Sequence, residues 1–380
     1  KELFEVRYGK ANPGRSGDVP VIGSSGVYAW TDVPLVREPT IVVGRKGSAC
    51  RVWYIEKPCF PSDTTFYLER RAEADVDPEF VAYALRAYDV GASDDVIPSL
   101  QRHELENCEI PSPDPIEQRA IARILRNIET ATKVETAICE KLSALKSATM
   151  AKLFREGLHG EPLKQTEIGE IPESWEVKPV SAVSDAVSGG TPSKQRTDWW
   201  SGSIPWASPK DMKRLRLRDT EDHITPEAAE AGSRIVPPKT VFIVVRGMVL
   251  AKDVPVAITE VPMAFNQDMK ALLPSERINP DFLLYALCAR KSALIQEIGT
   301  SAHGTRRMAG SSVDGLLIPV PKDSEEQRDI AETLHMLDRR EEISKERVRC
   351  LQALFSSTLH ALMTGAIRVK DLDLAEVSDA

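Results

Sequence analysis

"EEQRDIAETL" at residues 325–334 repeats, with changes, "IEQRAIARIL" at residues 116–125. The Gln-Arg pairs of the two stretches lie 209 positions apart. Each stretch begins with polar residues and continues with apolar residues at steps of three and four, a spacing that predicts an amphipathic helix. No Pro or Gly interrupts residues 116–156. At about 1.5 Å per residue, a helix of that length spans roughly 60 Å.

Such a helix has an apolar stripe to bury, and the equivalent helix of the second copy is the expected partner. The stripe consists of Ile121, Leu125, Ile128, Leu142 and Leu153 in the first copy, and of Ile330, Leu334, Leu337, Val348, Leu351, Phe355 and Leu362 in the second. We interpret Gln118-Arg119 and Gln327-Arg328 as residues that dock each helix onto the module before it, rather than as ligand contacts.

The repeat extends beyond the helices. Three further pairs of stretches match in the same order: "TIVVGRKG" (40–47) with "TVFIVVRGMVL" (240–250), "DPEFVAYAL" (77–85) with "NPDFLLYAL" (279–287), and "EIPSPDPIEQ" (109–118) with "LIPVPKDSEEQ" (317–327). The chain is therefore predicted to be two copies of one unit, each a β-rich module with a short capped helix, followed by a long helix.

Composition limits the possible classes of protein. The chain is 42% hydrophobic and 28% charged, which is typical of globular proteins, and it contains no apolar run of 18 residues. Its six cysteines are scattered without a CxxC motif, so we expect reduced thiols, an intracellular site and no metal centre. The net charge of -8 argues against a uniformly basic nucleic-acid binder, although it permits local basic patches.

Motifs of catalysis are missing. The sequence contains no GxxxxGK[ST] phosphate loop and no G-x-S-x-G nucleophile elbow. "NPDF" (279–282) resembles the target-base motif of amino-methyltransferases, but the first copy has "DPEF" (77–80) there, so the shared feature is a capped helix. We therefore predict that the chain carries out no chemistry by itself.

The loops are rich in side chains that contact nucleic acids. Arg and Lys neutralise phosphates or pair with guanine, and Asn and Gln pair with adenine. The candidate DNA-binding residues are Lys10, Ser24, Ser25, Arg45 and Lys46 in the first copy, and Thr191, Ser193, Lys194, Lys210, Lys213, Arg214, Arg216, Arg246, Asn266, Gln267, His303, Arg306 and Arg307 in the second. A solvated basic surface is the alternative for these residues, and Trp199, Trp200 and Trp206 are interpreted as module core.

These features together resemble the specificity subunit of Type I restriction–modification enzymes. The resemblance covers essentially the whole chain, and it is carried by "IPESWEVKPVSAVSDAVSGGTPSK" (171–194), "IPWASPKDM" (204–212), "AFNQDMKALLP" (264–274), "NPDFLLYAL" (279–287) and "IPVPKDSEEQRDIAETL" (318–334). It implies an α+β protein with two α/β target-recognition domains, joined by two long antiparallel coiled-coil helices in a pseudo-twofold internal repeat.

The resemblance also implies domain boundaries. We expect a first recognition domain at 1–113, a spacer helix at 114–160, a second recognition domain at 161–321, a second spacer helix at 322–365 and a tail at 366–380. The first copy lacks the lead-in that "GEIPESWEVKPVSAVSD" (169–185) gives to the second. Either that lead-in is missing, or the C-terminal tail completes the first module. The loops of the two copies differ, so the two halves should read different bases.

The function implied is a non-catalytic subunit that reads a bipartite site on double-stranded DNA. Its expected partners are two methyltransferase (modification) subunits, docked on the helices, and restriction (motor and nuclease) subunits, with no membrane. The chain itself would bind no cofactor, and the complex would use S-adenosylmethionine, ATP and magnesium through its other subunits, in the cytoplasm.

Two alternatives remain open. One is the specificity component of a methyltransferase–nuclease system without translocation, and the other is a coiled-coil scaffold that does not read DNA. Neighbouring methyltransferase and helicase-like genes would favour the Type I specificity subunit. A methyltransferase–nuclease fusion would favour the system without translocation, and the absence of both would favour the scaffold. The target bases cannot be derived from loops of unknown conformation.

Overall fold

The computed structural model describes residues 2–14, 16–88, 99–300 and 306–371. It divides into two compact units: unit 1 comprises Lys1–Ile138 and Ser344–Ala380, and unit 2 comprises Cys139–Ile343. Within the described residues, no helix combines the length and the apolar character that a membrane span requires.

Unit 1 is built on two small sheets. One is four-stranded and antiparallel, in the order β1-β7-β4-β5, and the other is three-stranded, in the order β3-β2-β6. The elements are β1 Phe4–Tyr8, β2 Val19–Gly23, β3 Gly26–Thr31, β4 Thr40–Gly44, β5 Val52–Ile55, β6 Phe60–Pro61, β7 Thr65–Arg70, α1 Pro78–Ala87, α2 Arg102–Glu106 and α3 Pro115–Glu156.

Unit 2 repeats this plan with additions. Its larger sheets have the orders β11-β19-β16-β17-β13 and β14-β12-β18-β15, and β8-β9, β10-β22 and β20-β21 form two-stranded sheets. The elements are β8 Leu163–Thr166, β9 Gly169–Pro172, β10 Glu176–Pro179, β11 Ser184–Ser188, β12 Ile204–Ala207, β13 Arg216–Leu217, β14 Asp222–Ile224, α4 Pro226–Gly232, β15 Ile235–Val236, β16 Val241–Val244, β17 Val256–Thr259, β18 Met263–Phe265, β19 Met269–Pro274, α5 Pro280–Ala289, α6 Lys291–Gln296, β20 Gly299–Thr300, β21 Arg306–Arg307, α7 Gly310–Asp314, β22 Leu317–Val320 and α8 Ser324–Met363.

The helices α3 and α8 each begin in one unit and end in the other. Within unit 1 the two helical segments run antiparallel, because Ser344 donates a hydrogen bond to Glu135 (2.7 Å) while Arg368, beyond the end of α8, pairs with Glu117 at the start of α3. Within unit 2 they also run antiparallel, since Lys146 contacts Asp338 (2.6 Å) while Leu158, just beyond the end of α3, donates to Glu326 at the start of α8. The domain boundaries expected from the sequence treated each helix as one segment, whereas the compact units divide both.

The Gln residues of the repeated phrase anchor each helix to its module. Gln118 Oε1 accepts a hydrogen bond from the Asp77 N–H (2.9 Å), and Gln327 Oε1 accepts the same bond from Asn279 (2.8 Å). Asp77 and Asn279 are the N-caps of α1 and α5. Each Gln amide also donates to a proline carbonyl just before its helix. The docking interpretation is therefore confirmed for Gln118 and Gln327, whereas Arg119 and Arg328 are exposed and the ion pairs of Arg328 lie within its own helix.

The first-turn glutamates bind the chain that leaves the other helix. Glu326 accepts hydrogen bonds from the Leu158 N–H and from Trp175 Nε1, both at 2.9 Å. Glu117 accepts from the Arg368 guanidinium (2.7 Å) and from the Val369 N–H (3.3 Å). Each module is thus closed by a segment that follows the end of the other long helix.

Each unit has its own apolar core. The core of unit 1 includes Phe80 and Leu125 together with Leu359 and Leu362 of α8, and the core of unit 2 includes Phe282 and Ile330 together with Leu153 of α3. The central turns of the helices differ from the expected apolar stripe, because Leu142, Leu337 and Val348 are only partly buried there. The buried positions of these turns are polar: Asp338, Glu341 and Ser344.

Candidate nucleic-acid interface

The strand ends of unit 1 gather around the turn that joins β6 to β7. The Lys10 N–H donates to the Pro61 carbonyl, the Arg45 and Lys46 N–H groups both donate to the Thr64 carbonyl, and the Ser24 N–H donates to Thr64 Oγ1. The turn approaches Gly9 so closely that a Cβ on that residue would lie 2.0 Å from the Ser62 oxygen. The structure therefore brings together four of the five candidates predicted in the first copy, with Ser25 beside them in the exposed β2–β3 turn.

Two lysines in this group are free for an anionic ligand. Lys10 and Lys46 are exposed, and neither forms an ion pair with another described residue. Arg45 is held differently, because its guanidinium lies 5.2 Å from the centre of the Tyr8 ring and donates to the Asp63 carbonyl (3.2 Å). Arg45 is therefore held by contacts within unit 1, and Lys10 and Lys46 supply the positive charge of this surface.

Unit 2 repeats the arrangement at the turn between β18 and β19. The Val245 and Arg246 N–H groups both donate to the Asp268 carbonyl, and Gly189 approaches the Phe265 carbonyl as Gly9 approaches Ser62. Thr191 Oγ1 lies 2.5 Å from Gln267 Oε1. Arg306 and Arg307 join the group, because the Gly247 N–H donates to Arg306 and a bridge pairs Arg246 with Arg307.

Lys46 and Arg246 occupy equivalent positions in the two units. Each donates its backbone N–H to the corresponding turn of its own unit. Each also precedes a glycine of positive φ, Gly47 at 76° and Gly247 at 137°. Asn266 differs from its predicted role, because it is 6% exposed and its Oδ1 accepts the Asp268 N–H. It stabilises the turn, and Gln267 is the exposed amide there.

The basic loop 210–218 is largely neutralised by internal ion pairs. Lys210 contacts Glu221 and Asp222, both at 2.9 Å, and Arg218 contacts Glu260. Arg216 pairs with Asp281 and Glu260 and donates to His335 Nδ1. Burial acts to lower the pKa of Arg216, but the two carboxylates outweigh it and hold the pKa above its usual value. Lys213 and Arg214 remain exposed, without an ion pair to any residue in the described ranges.

The tryptophans of unit 2 form a small apolar cluster. Trp206 is 4% exposed, and its ring packs edge-on against Trp200 at 5.0 Å. Trp200 Nε1 donates to the Ser193 carbonyl, so Ser193 and Lys194 lie on an exposed loop held by that cluster. The interpretation as core holds for Trp206, whereas Trp199 and Trp200 are partly buried against a small cluster that is separate from the main core of unit 2. His303 lies outside the described residues.

An exposed aromatic surface on unit 1 was not predicted from the sequence. Tyr28 and Trp30 on β3 are 55% and 56% exposed, and the Tyr28 ring lies against Gly23, where an added Cβ would approach it to 3.0 Å. The pairing register of β2 and β3 shifts at Tyr28, so it is the exposure of the two rings, and not their spacing, that places both at the surface. The pattern "VYAWT" (27–31) is therefore the signal that would have revealed an exposed aromatic face next to Ser24 and Ser25.

The buried thiols show no sign of reactivity. Burial raises the pKa of Cys59 to about 12 and that of Cys288 to about 11, so both remain protonated thiols at neutral pH. Across the described parts of the chain, no group of three or more His, Cys, Asp or Glu side chains is arranged to hold a metal ion.

Comparisons with known proteins extend over most of the chain. The family model of the Type I restriction modification DNA specificity domain matches residues 1–144 and 172–351. The chain is 32% identical over 233 residues to the EcoR124I/EcoR124II specificity subunit of Escherichia coli, a match that covers 60% of this chain and 55% of that protein. It is 26% identical over 366 residues to the MjaVIII specificity subunit of Methanocaldococcus jannaschii, a match that covers 89% of this chain and 81% of that protein.

A solved structure shares the fold. The S subunit of a Type I restriction–modification system from M. genitalium superposes with a TM-score of 0.69 at 17% identity, covering 95% of this chain and 94% of that one. At that identity the likeness concerns the fold alone. Among the sequence relatives, the chain spans little more than half the length of the E. coli protein, at 55%.

Proposed function

The chain belongs to the family of Type I restriction modification DNA specificity domains, and from this premise we propose that it reads a bipartite DNA sequence without catalysing a reaction on it. One observation carries the proposal. Lys46 and Arg246 occupy the same position in two separately folded modules, each beside a turn whose exposed side chains differ between the copies. A shared cation suits the phosphate backbone, which is the same at every site, and variable turns suit base edges.

The turns explain how the two modules differ in the bases they read. At matching positions of the two turns, the exposed side chain is Asp63 in unit 1 and Gln267 in unit 2, whereas Ser62 and Asn266 are buried. An amide such as that of Gln267 pairs with the N6 and N7 edge of adenine, whereas the carboxylate of Asp63 accepts from the amino group of cytosine. Each module therefore selects its own half-site, and the paired cations fix its register on the duplex.

The partners follow from the same proposal. Two methyltransferase subunits dock on α3 and α8, and restriction subunits join that assembly in the cytoplasm. This chain binds no cofactor, and S-adenosylmethionine, ATP and magnesium are bound by the other subunits. The role of this chain is to position those subunits on DNA, because its exposed loops supply charge and hydrogen-bonding groups.

The test replaces Lys46 and Arg246 separately by Ala and measures DNA affinity against salt concentration. Each variant should bind more weakly to all sequences and lower the slope of log K against log salt by about 1, because one phosphate contact is lost. Lys133→Ala, at an exposed position on α3, is the matched control and should leave the slope unchanged. Slopes that are equal in all three variants and the wild type would refute the proposal.

A further inference from the structure

Each module carries a tyrosine on its short helix that donates to a carboxylate of the long helix that follows it. The Tyr83 hydroxyl donates to Glu129 on α3 (2.9 Å), and the Tyr285 hydroxyl donates to Asp338 on α8 (2.5 Å). Glu129 and Asp338 lie 209 positions apart, the spacing of the repeated Gln-Arg pairs, so they are equivalent. The Asp338 side chain is only 8% exposed. A carboxylate so far removed from water requires a cation beside it.

The two units take that cation from different elements. In unit 1, Arg86 on α1 pairs with Glu129 (2.7 Å). In unit 2, Lys146 of α3 pairs with Asp338 (2.6 Å) and also contacts Glu341 (3.3 Å). In the described parts of the chain, Lys146 is the one cation that forms an ion pair with Asp338. The module of unit 1 therefore supplies its own cation, whereas unit 2 receives it from α3.

Unit 1 is matched to an apolar side chain from its partner helix. Phe355 of α8 and Lys146 of α3 lie 209 positions apart and are equivalent. In unit 1 the ring of Phe355 packs against that of Tyr83, with 6.0 Å between the ring centres. The Arg86 guanidinium contacts the same tyrosine ring, at 5.1 Å from its centre. A lysine in place of Phe355 would therefore bring a second cation close to Arg86.

Unit 2 is matched to a cation from its partner helix. Cys288 occupies in α5 the position that Arg86 occupies in α1, 202 positions earlier, the spacing that relates the two short helices. Burial raises the pKa of Cys288, and the charges of Lys146 and Asp338 act on that pKa in opposite directions, so the thiol lies beside this ion pair. A neutral thiol leaves room for the ammonium group of Lys146, which an arginine at this position would repel.

The surroundings of Lys146 favour its charged form. Burial acts to lower the pKa of Lys146, but Asp338 and Glu341 outweigh it and hold the pKa above its usual value. Burial also raises the pKa of Tyr285, so its hydroxyl stays protonated and donates to Asp338. Without Lys146, Asp338 would keep this neutral donor and lose its cation. Removing one partner of a buried ion pair shifts the folding equilibrium by about 100-fold or more.

We propose that Lys146 is the residue by which the module of unit 2 recognises α3 as its partner helix. The units are copies of one plan, so the module of unit 2 could otherwise accept the end of α8 from a second copy of the chain. Phe355 would then stand beside Asp338, and the carboxylate would be buried without a cation. The module thus selects its helix by charge, through a penalty on the wrong one. This inference concerns the assembly of unit 2 and does not depend on DNA binding.

The test exchanges the two helix residues within one full-length chain. Lys146→Phe with Phe355→Lys leaves the composition unchanged, and amide hydrogen exchange, followed by mass spectrometry, reports on α1 and α5 separately. Exchange in α5 should accelerate by at least about 100-fold, because unit 2 loses the cation that it requires. Adding Arg86→Cys and Cys288→Arg to the same chain moves the matching residues of the modules as well. This fourfold variant should return α5 to within about tenfold of the wild type.

Two single variants separate charge from shape. Lys146→Arg keeps the cation and should leave exchange in α5 within about tenfold of the wild type, whereas Lys146→Met removes the charge and should accelerate it by at least about 100-fold. Lys141→Phe, at an exposed position of α3 in the same unit, is the control and should have no effect.

Three results would overturn the proposal. The first is slow exchange in α5 after the helix residues have been exchanged, since unit 2 would then accept either residue. The second is equal acceleration by Lys146→Arg and Lys146→Met, which would assign the role to the shape of the lysine and not to its charge. The third is a fourfold variant whose α5 exchanges as fast as in the twofold variant, because helix and module would then not be matched through these positions.

Discussion

Arg214 and Arg216 are two positions apart in one basic loop, yet their surroundings assign them different roles. Arg214 is exposed, whereas the Arg216 side chain is 15% exposed and is paired with Asp281 and Glu260. The sequence marked Lys210, Lys213, Arg214 and Arg216 alike as candidate DNA contacts. It could not show which residues are neutralised, because the carboxylates lie 44 and 65 positions away.

Replacing Lys213 and Arg214 together by Ala should therefore flatten the salt dependence of DNA binding by about 2, if both contact phosphates. The melting temperature should not change. Arg216→Ala should instead destabilise unit 2, because it removes the least exposed cation that Asp281 and Glu260 share and leaves them only Lys239 and Arg218. Binding titrations at several salt concentrations, with thermal melts of the same samples, separate the two outcomes. An unchanged slope in the double variant would show that Lys213 and Arg214 belong to a solvated basic surface and do not contact DNA.

The Asp281 carboxylate makes unit 2 sensitive to acid. Burial acts to raise the pKa of Asp281, but Lys239 and Arg216 outweigh it and hold the pKa below its usual value of 3.8. As the pH falls, the carboxyl is protonated in the unfolded chain before it is protonated in the folded chain. The contribution of Asp281 to the free energy of unfolding is therefore complete above the usual pKa of 3.8, and it is lost as the pH falls through the pKa of the folded state.

Asp281→Asn should consequently flatten the dependence of stability on pH below about 5, in the acid region where the wild type loses this contribution. Urea unfolding at a series of pH values, monitored by Trp175 fluorescence, measures it. Asp185→Asn, at an exposed position on β11, is the control and should follow the wild type. Parallel curves for Asp281→Asn and the wild type would show that the ion pairs do not outweigh the cost of burial.

At the scale of elements, the starts of the long helices were the most predictable part of the fold. The repeated Gln-Arg phrase and the spacing of three and four indicated both helices, and the docking of Gln118 and Gln327 is confirmed. The polar central turns were not predicted, because an apolar stripe in the sequence does not show which turns a partner helix covers. The family resemblance and the fold class are confirmed by the family match and the shared fold.

Gln327→Ala should destabilise unit 2 by about 1–3 kcal/mol, because it leaves the Asn279 N–H and the Pro321 carbonyl without partners. The neighbouring Arg328→Ala should cost less than about 0.5 kcal/mol, since its side chain is 53% exposed and its ion pairs are long. Denaturant unfolding followed at Trp175 gives both values. Similar costs for the two substitutions would contradict the docking role.

The aromatic face of β3 gives a further prediction at this scale, resting on the proposed function. Trp30→Ala should lower DNA affinity by roughly 1–3 kcal/mol if the ring contacts a sugar or an unstacked base. Folding should be unaffected, because the side chain is already 56% exposed. The affinities of the wild type and the variant are compared on two DNAs, each of which is changed in one half-site, and the comparison identifies which module Trp30 serves. Val33→Ala, which also shortens an exposed apolar side chain, should have no effect on affinity.

At the scale of the whole molecule, the helices connect two modules that fold around separate cores. The sequence indicated two copies and left open that the C-terminal tail completes the first module, but it did not show which residues receive a segment from beyond the other long helix. Glu117 and Glu326 receive those segments. These contacts join residues 151 to 252 positions apart, so local sequence patterns cannot predict them.

Adding seven residues to each long helix, after Ile138 and after Ile343, should preserve the contacts inside both units and lengthen each helix by about 10 Å. Seven residues nearly restore the helical phase, so the paired faces remain aligned. The preferred spacer between half-sites should then lengthen by up to about three base pairs, while the bases of each half-site stay the same. Selection of sites from randomised DNA measures it. Unchanged spacing would show that the helices do not set the distance.

The division of the chain between the units has a consequence for protein synthesis. Unit 2 is one continuous stretch, whereas unit 1 needs both ends of the chain, including Leu359 and Leu362 in its core. Ribosomes add about 5–20 residues per second, so Leu125 waits on the order of 10–50 s for those partners. The module made first is therefore finished last. During that interval its unfinished core is exposed to chaperones and proteases, and a nascent chain stalled before residue 359 should be cleaved in its N-terminal part while residues 139–343 resist.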